Sequence, residues 1–416
     1  MRIPPLDIPA GQNWSCHNCG GCCRQHLIEI TEEERLRIES QKWTTDSGVQ
    51  LPAYIKHGTG HHLNHTADGA CVFLDERGLC RIHAKFGEEA KPLACRIYPY
   101  AFHPGGKKVA VSLRFSCPSV AGNKGEALAR KSAEIESLAR LVVPADAAQV
   151  DAPHVDDESA PEWPDFFRFQ LRLLNILQAQ GTPLANRVLR ALNWLTLIEN
   201  AGTAALDGAA LDEVLEMLSK APKAAVPLDL ADIPAPNGGS RMMFRLLLVQ
   251  YARKDTGSHL KRKWAYRSTL LGAGLKYALG VGKIPPLQDG FKAVPFGALE
   301  KPFGGLSAAS EEVLLRHLRV KIQGIHYCGP AYYNVPFIEG FRHLALLLAA
   351  TLWMARWLAA GDGRDTLLPA DVLRALAVTD HHHGYTPAFG SANFRRRVRT
   401  LASAGHIQKL VAWYAR

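Results

Sequence analysis

The chain has 416 residues, 47% of them hydrophobic, and a formal net charge of +10. This size and apolar content exclude a small disulfide-stapled scaffold and predict two or three domains with a real core. The charge gathers at Arg253-Lys254, Lys261-Arg262-Lys263 and Arg395-Arg396-Arg397-Arg399, patches suited to an acidic partner. No zinc finger, helix-turn-helix or RNP-like signature accompanies them, so nucleic-acid binding is not expected.

Residues 1–15 contain no continuous apolar stretch, which predicts no secretory signal and a cytoplasmic protein. Eight of the nine cysteines then fall in the first quarter of the chain: Cys16, Cys19, Cys22, Cys23, Cys71, Cys80, Cys95 and Cys117, with Cys328 far behind. In a reducing compartment such a density favours metal ligands over cystines; four disulfides are the alternative for an exported chain. A short helix is expected at 31–41, capped by Thr31 with Glu32 to Glu34 in its first turn. Residues 70–74 and 79–83, joined by the turn Asp75 to Gly78, read as a hairpin with one cysteine on each strand, and 108–115 as a further strand.

Residues 126–141 read as a helix, and the Pro- and Asp-rich stretch 143–164 as a linker. Beyond it, apolar residues recur every three or four positions at 166–178, 184–198, 211–218, 242–251, 311–321, 338–358, 370–378 and 393–414, the pattern of amphipathic helices. The Gly/Pro-rich interval 272–305 separates two groups of these, and its Gly272, Gly274, Gly280 and Gly282 read as loop glycines, not a nucleotide-binding loop. Residues 343–360 are strongly apolar but carry Arg356 and fall short of the roughly 20 uninterrupted residues of a membrane span, so a buried helix is expected. The expected class is α+β, mainly α. A small Cys-rich metal-binding module with a short hairpin (1–122) leads through a helix and linker (123–164) to an α-helical domain (165–416).

The run Cys16-His17-Asn18-Cys19-Gly20-Gly21-Cys22-Cys23 carries the chemistry. C-x2-C lets two thiolates converge on one metal across a tight turn, which Gly20 and Gly21 can accommodate. C-x2-C-x2-C with a distant Cys-Pro, here Cys117-Pro118, is the spacing of bacterial ferredoxin ligands, which favours an iron–sulfur cluster over zinc. Adjacent Cys22 and Cys23 are expected to point in different directions, and eight thiolates suffice for two four-ligand sites whose partition the sequence leaves open. Arg24, Arg81 and Arg96 each follow a cysteine and Arg114 lies three before Cys117, positions from which guanidinium groups can donate to sulfur. His17, His26, His61, His62, His65 and His83 are left outside the metal set.

Three ordered motifs, Cys16 to Cys23, Cys71-Val-Phe73-Leu74 with Cys80-Arg81-Ile82-His83, and Cys95-Arg96-Ile97-Tyr98-Pro99, resemble the YkgJ-type cysteine-cluster family over about residues 14 to 120. That resemblance implies a zinc- or iron-chelating domain. The order of a Cys-rich module and a long helical region is also similar in outline to flagellin lysine-N-methylases, which implies methyl transfer from S-adenosylmethionine to a protein lysine. The Cys16 to Cys23 spacing departs from that group and from the C-x3-C-x2-C of radical S-adenosylmethionine enzymes.

Two further constellations lie near the C-terminus: His326-Tyr327-Cys328 with Tyr332-Tyr333-Asn334, and Asp380-His381-His382-His383 with Tyr385. The first suits a cationic or planar ligand or else packs a helical core; the second suits metal or proton transfer or else is a polar loop. Hydrolase and kinase motifs are absent. The expected function is metal binding, with lysine methylation as the enzymatic form. The alternative is a metal or cluster carrier, or a structural metal module, and the partners are a protein substrate or a metal acceptor and not a membrane.

Overall fold

Six short strands pair in the N-terminal region: β1 (Leu6–Asp7), β2 (Glu29–Ile30), β3 (Tyr54–His57), β4 (Gly60–Leu63), β5 (Tyr100–Gly105) and β6 (Lys108–Leu113). They make two three-stranded sheets, β1-β6-β5 and β2-β4-β3. The computed structural model describes residues 3–254 and 263–416, so Lys261 and Arg262 of the basic patches lie outside the described residues. Strand β6 pairs parallel with β1 and antiparallel with β5, and Val109, Ala110, Val111, Ser112 and Leu113 are fully buried. An apolar strand covered on both faces is a central layer, and β6 is the wall shared by the Cys-rich region and the helices behind it.

Short helices fill the same region: α1 (Gly21–Gln25), α2 (Glu32–Ser40), α3 (Arg81–Phe86), α4 (Leu93–Ile97), α5 (Pro118–Ala121) and α6 (Ser132–Ala139). The expected cap on α2 is present as a full capping box, Thr31 Oγ1 accepting from Glu34 N and Glu34 Oε2 from Thr31 N. The other Glu34 oxygen accepts from Leu93 N at 2.6 Å, which fixes the start of α4, the helix that carries Cys95.

The hairpin expected at 70–83 shrinks to single bridges, His65 with Cys71 and Leu74 with Cys80, and the chain enters α3 at Arg81. Asp75 makes the turn, its Oδ1 accepting from Arg77 N and Leu79 N, but burying Ile82 as a helical residue ends the pairing. The true hairpin of the region, β3–β4, was not anticipated; its cue is the turn His57-Gly58-Thr59-Gly60 between short β-type runs. The helix expected at 126–141 is a 3₁₀ turn, Leu128–Lys131, followed by α6.

The helical region comprises α7 (Trp163–Leu177), α8 (Leu184–Ala201), α9 (Gly208–Lys220), α10 (Pro222–Ala225), α11 (Gly238–Ala252), α12 (Lys263–Leu279), α13 (Ala308–Gln323), α14 (Phe337–Gly361), α15 (Pro369–His382), α16 (Ala392–Ser403) and α17 (His406–Ala415). The apolar periodicity thus located the helices. Two expectations change: 393–414 breaks into α16 and α17 at 404–405, and Gly272 and Gly274 lie inside α12, not in a loop. Residues 143–164 are packed, with Val143, Ala147, Ala152 and Val155 buried and the carbonyls of His154 and Val155 accepting from Phe337 N and Ile338 N.

Helix α14 has the length and mean hydropathy, 1.6, of a membrane span, yet 89% of its apolar window is buried inside the protein. It packs against α15 and α17 as the central core helix. Its Arg356, fully buried, donates to the carbonyls of Leu299, Lys301, Trp413 and Arg416. One apolar cluster runs from Tyr100, Val111, Phe115 and Val120 into α7, α8, α14, α15 and α17. A smaller one (Ile30, Ile38, Trp43, Leu63, Phe73, Ile82) sits under Cys23, Cys80 and Cys95.

Gly340 lets α14 touch the preceding loop: a Cβ there would stand 2.1 Å from Tyr327 O. Gly340→Ala is expected to destabilise the fold by about 1–3 kcal/mol through overpacking, measured as a lower urea midpoint at unchanged slope.

Candidate metal centre

Helix α1 presents Cys22 and Cys23, and the loop before it lies flush on the Asp75–Gly78 turn. A Cβ on Gly78 would be 2.4 Å from Asn18 O. Cys71 N donates to Cys23 O at 2.8 Å, which brings the second motif beside the first. The Cys22 and Cys23 sulfurs stand 4.0 Å apart. At that separation the two side chains lie side by side instead of diverging as expected.

Burial and the mutual fields of the thiols group them. A hydrogen bond from Cys23 pulls Cys22 down to about 7, and that same bond, then burial, pushes Cys23 up. Burial pushes Cys71 up to about 12, with Cys80 and Cys22 adding to it, and raises Cys95 well above the usual thiol range beside Cys71, Cys80 and Cys22. Five cysteines therefore share one field: Cys22, Cys23, Cys71, Cys80 and Cys95. Cys117 belongs to another neighbourhood, raised by burial and by Cys19, with the Trp14 indole beside it. Cys16 and Cys19 are exposed at the rim. Tyr98 feels both Cys117 and Cys22, so the two groups meet at its ring.

Among the described residues, no three Cys, His, Asp or Glu side chains stand together at metal-ligand geometry. The donor set nonetheless fits a thiophilic metal: it is all sulfur, concentrated and partly buried. Residues 15–118 match the model of the CxxCxxCC family, described as "putative zinc- or iron-chelating domain". Neither the curated proteins nor the solved structures give a match. The match takes in all eight cysteines of the N-terminal quarter and leaves the helices from α6 onward outside it.

Because Cys23, Cys71 and Cys95 hold their protons more tightly than a free thiol, loading the chelating domain must release protons. Apparent metal affinity is expected to rise with pH, with a slope of roughly three to four decades per pH unit for a four-thiol site. Competition with a chromophoric chelator between pH 6 and 8 measures it, and a flat profile contradicts thiol ligation.

The expected arginine partners shift. Arg24 pairs with Asp68 at 2.9 Å and Arg81 with Glu76 at 3.2 Å, carboxylates in place of sulfurs. Arg114 turns toward the helical region, its guanidinium 3.5 Å from the Tyr385 ring centroid.

The two C-terminal constellations come together behind the chelating domain. Asp380, His382 and His383 are buried within or directly after α15, so they are no polar loop. Tyr332 OH reaches both His343 Nδ1 (3.1 Å) and His383 Nδ1 (3.3 Å), and His326 lies edge-on to Tyr385. Asp380 pairs with Lys321 at 2.8 Å and His317 at 3.2 Å and accepts from Ser116 N at 3.1 Å. Lys321 and His317 were missed from sequence; their signal is an i,i+4 polar pair on the apolar face of α13. Cys328 is buried, with its thiol raised by burial, as a small apolar residue would be.

Proposed function

We propose that the N-terminal domain is a two-site thiolate metal module seated on the helical region. Cys23, Cys71, Cys80 and Cys95 form one site; Cys16, Cys19, Cys22 and Cys117 form the other. The observation that carries this reading is that Cys23, tied to Cys71 by its carbonyl, shares a neighbourhood with Cys71, Cys80 and Cys95, while Cys117 lies with Cys19; Cys22, beside Cys23, is placed in the second set by its C-x2-C-x2-C spacing with Cys16 and Cys19. The second set has the C-x2-C-x2-C…C-P order of iron–sulfur ligands, which supports a cluster there. Anaerobic purification with iron, zinc and sulfide analysis tests it. Stoichiometric sulfide is expected, and zinc without sulfide replaces the cluster by zinc. Cys22→Ser should empty the second site alone, and loss of both sites at once refutes the partition.

A metal or cluster carrier is a second reading, favoured by the exposure of Cys16 and Cys19. Fast transfer to an acceptor apoprotein distinguishes it from a resident centre. The methyl-transfer reading draws only on the order of a Cys-rich module and a long helical region. Methylation of a lysine-bearing protein by the metal-loaded chain with S-adenosylmethionine supports it, and failure to bind that cofactor removes it.

A further inference from the structure

Five side chains meet at the seam between the chelating domain and the helices: His26 after α1, Tyr98 after α4, Arg114 after β6, and His381 and Tyr385 at the end of α15. The His26 ring lies 4.9 Å from that of Tyr98 and 4.6 Å from that of His381, centroid to centroid. Arg114 sits between two rings, 3.5 Å from Tyr385 and 5.6 Å from Tyr98, and its Nη2 donates to His381 O at 3.1 Å. Tyr385 is walled by protein yet 38% exposed, so the seam opens to water there.

The charge in this seam does not balance. Among the described residues no carboxylate pairs with Arg114, and Asp380, next to His381, is already held by Lys321 and His317. Arg114 and Lys321 against Asp380 therefore leave one positive charge unmatched. Three buried polar atoms of the same residues lack a partner: His26 Nε2, His381 Nδ1 and Arg114 Nε. His26 itself is only 8% exposed. The unpaired atoms are themselves buried, where a polar group without a partner is costly. Among the described residues no hydrogen bond joins Arg114 to a cysteine sulfur, and its guanidinium faces the Tyr385 ring.

We propose that this seam binds the oxyanion group of a small organic molecule, a carboxylate or a phosphate, taken by Arg114 and oriented by His26 and His381. Tyr98 forms one wall and is also the ring at which the two cysteine groups meet, so the bound molecule lies next to the metal module. The proposal does not depend on which metal the module holds.

Titration calorimetry of the full, metal-loaded chain with benzoate and with inorganic phosphate tests it. Saturable binding of either is expected, weakening as salt rises; benzoate alone marks a carboxylate ligand and phosphate alone a phosphate ligand. Arg114→Met should weaken binding by about tenfold or more, the worth of one charge-assisted pair, with metal content unchanged. Should that variant fold poorly, Tyr385→Leu at the open mouth and His26→Asn are expected to weaken binding several-fold. Neither probe binding the native chain, or equal binding by all variants that fold, overturns the proposal. Loss of metal in Cys16→Ser, whose side chain is exposed, without loss of probe binding separates this site from the metal reading.

Discussion

Replacing Asp380 with Asn is expected to cost about 3–5 kcal/mol of folding stability, the toll of removing one partner from a buried ion pair. Asp380 and Lys321 are both fully buried, 2.8 Å apart. Around them Lys321 Nζ donates to Leu113 O and contacts His326 Nδ1, and Asp380 accepts from Ser116 N. The pair thus pins the end of β6 to α13 and α15. Asn keeps the shape and the hydrogen bond to Ser116 but leaves the ammonium of Lys321 uncompensated. Urea unfolding measures the loss. Lys321→Met in the Asp380→Asn background should recover most of it, since an absent pair costs less than half of one. A loss below about 1 kcal/mol would show that Lys321 simply sheds its proton.

The same pair sets an acid limit. Burial by itself would raise the Asp380 carboxyl, but Lys321 and His317 hold it well below the usual carboxylate range. A depressed carboxyl contributes stability that is complete above its unfolded value and is lost as pH falls through its folded value. The native chain should therefore lose stability below about pH 4, and Asp380→Asn should be flatter there.

Cys71→Ser is expected to abolish metal at the inner site and unfold the smaller N-terminal core. Cys71 is buried, receives the field of Cys80 and Cys22, and is tied through its backbone to Cys23. Structural tetrathiolate sites contribute roughly 10–16 kcal/mol of apparent binding energy, as much as the whole stability of a typical domain. Metal analysis should show loss of that site, and the fluorescence of Trp43, which packs on Phe73, should report the collapse. Helical circular dichroism should persist, because the large core runs through α7, α8 and α14 without Cys71. Cys328→Ser, in that core, should keep its metal. Full metal content in Cys71→Ser refutes ligation by Cys71.

The sequence made legible what depends on local spacing. Thr31 and Glu34 announced α2, the 3.6-residue periodicity announced the helices from α7 onward, and the three cysteine motifs announced the chelating domain. What it concealed depends on meetings between distant segments. The Asp380–His383 run looked polar because its partners Lys321, His317 and Tyr332 lie 51 to 63 residues earlier by position. Arg114 looked like a sulfur ligand's neighbour because Cys117 is near in sequence, whereas Tyr385, 271 residues on, takes its guanidinium face. The backbone contact of Cys71 N with Cys23 O, which sets the second motif beside the first, joins residues that no local pattern links.

The unequal shelter of the cysteines has a practical outcome in air. Oxygen and chelators meet Cys16 and Cys19 directly, while Cys71 is shielded by the packing of Phe73 and its neighbours. Decay of a freshly loaded sample should then run in two phases, a fast one from the outer sulfurs and a slow one limited by opening of the inner core. A preparation handled aerobically would keep the inner-site metal alone and retain its fold.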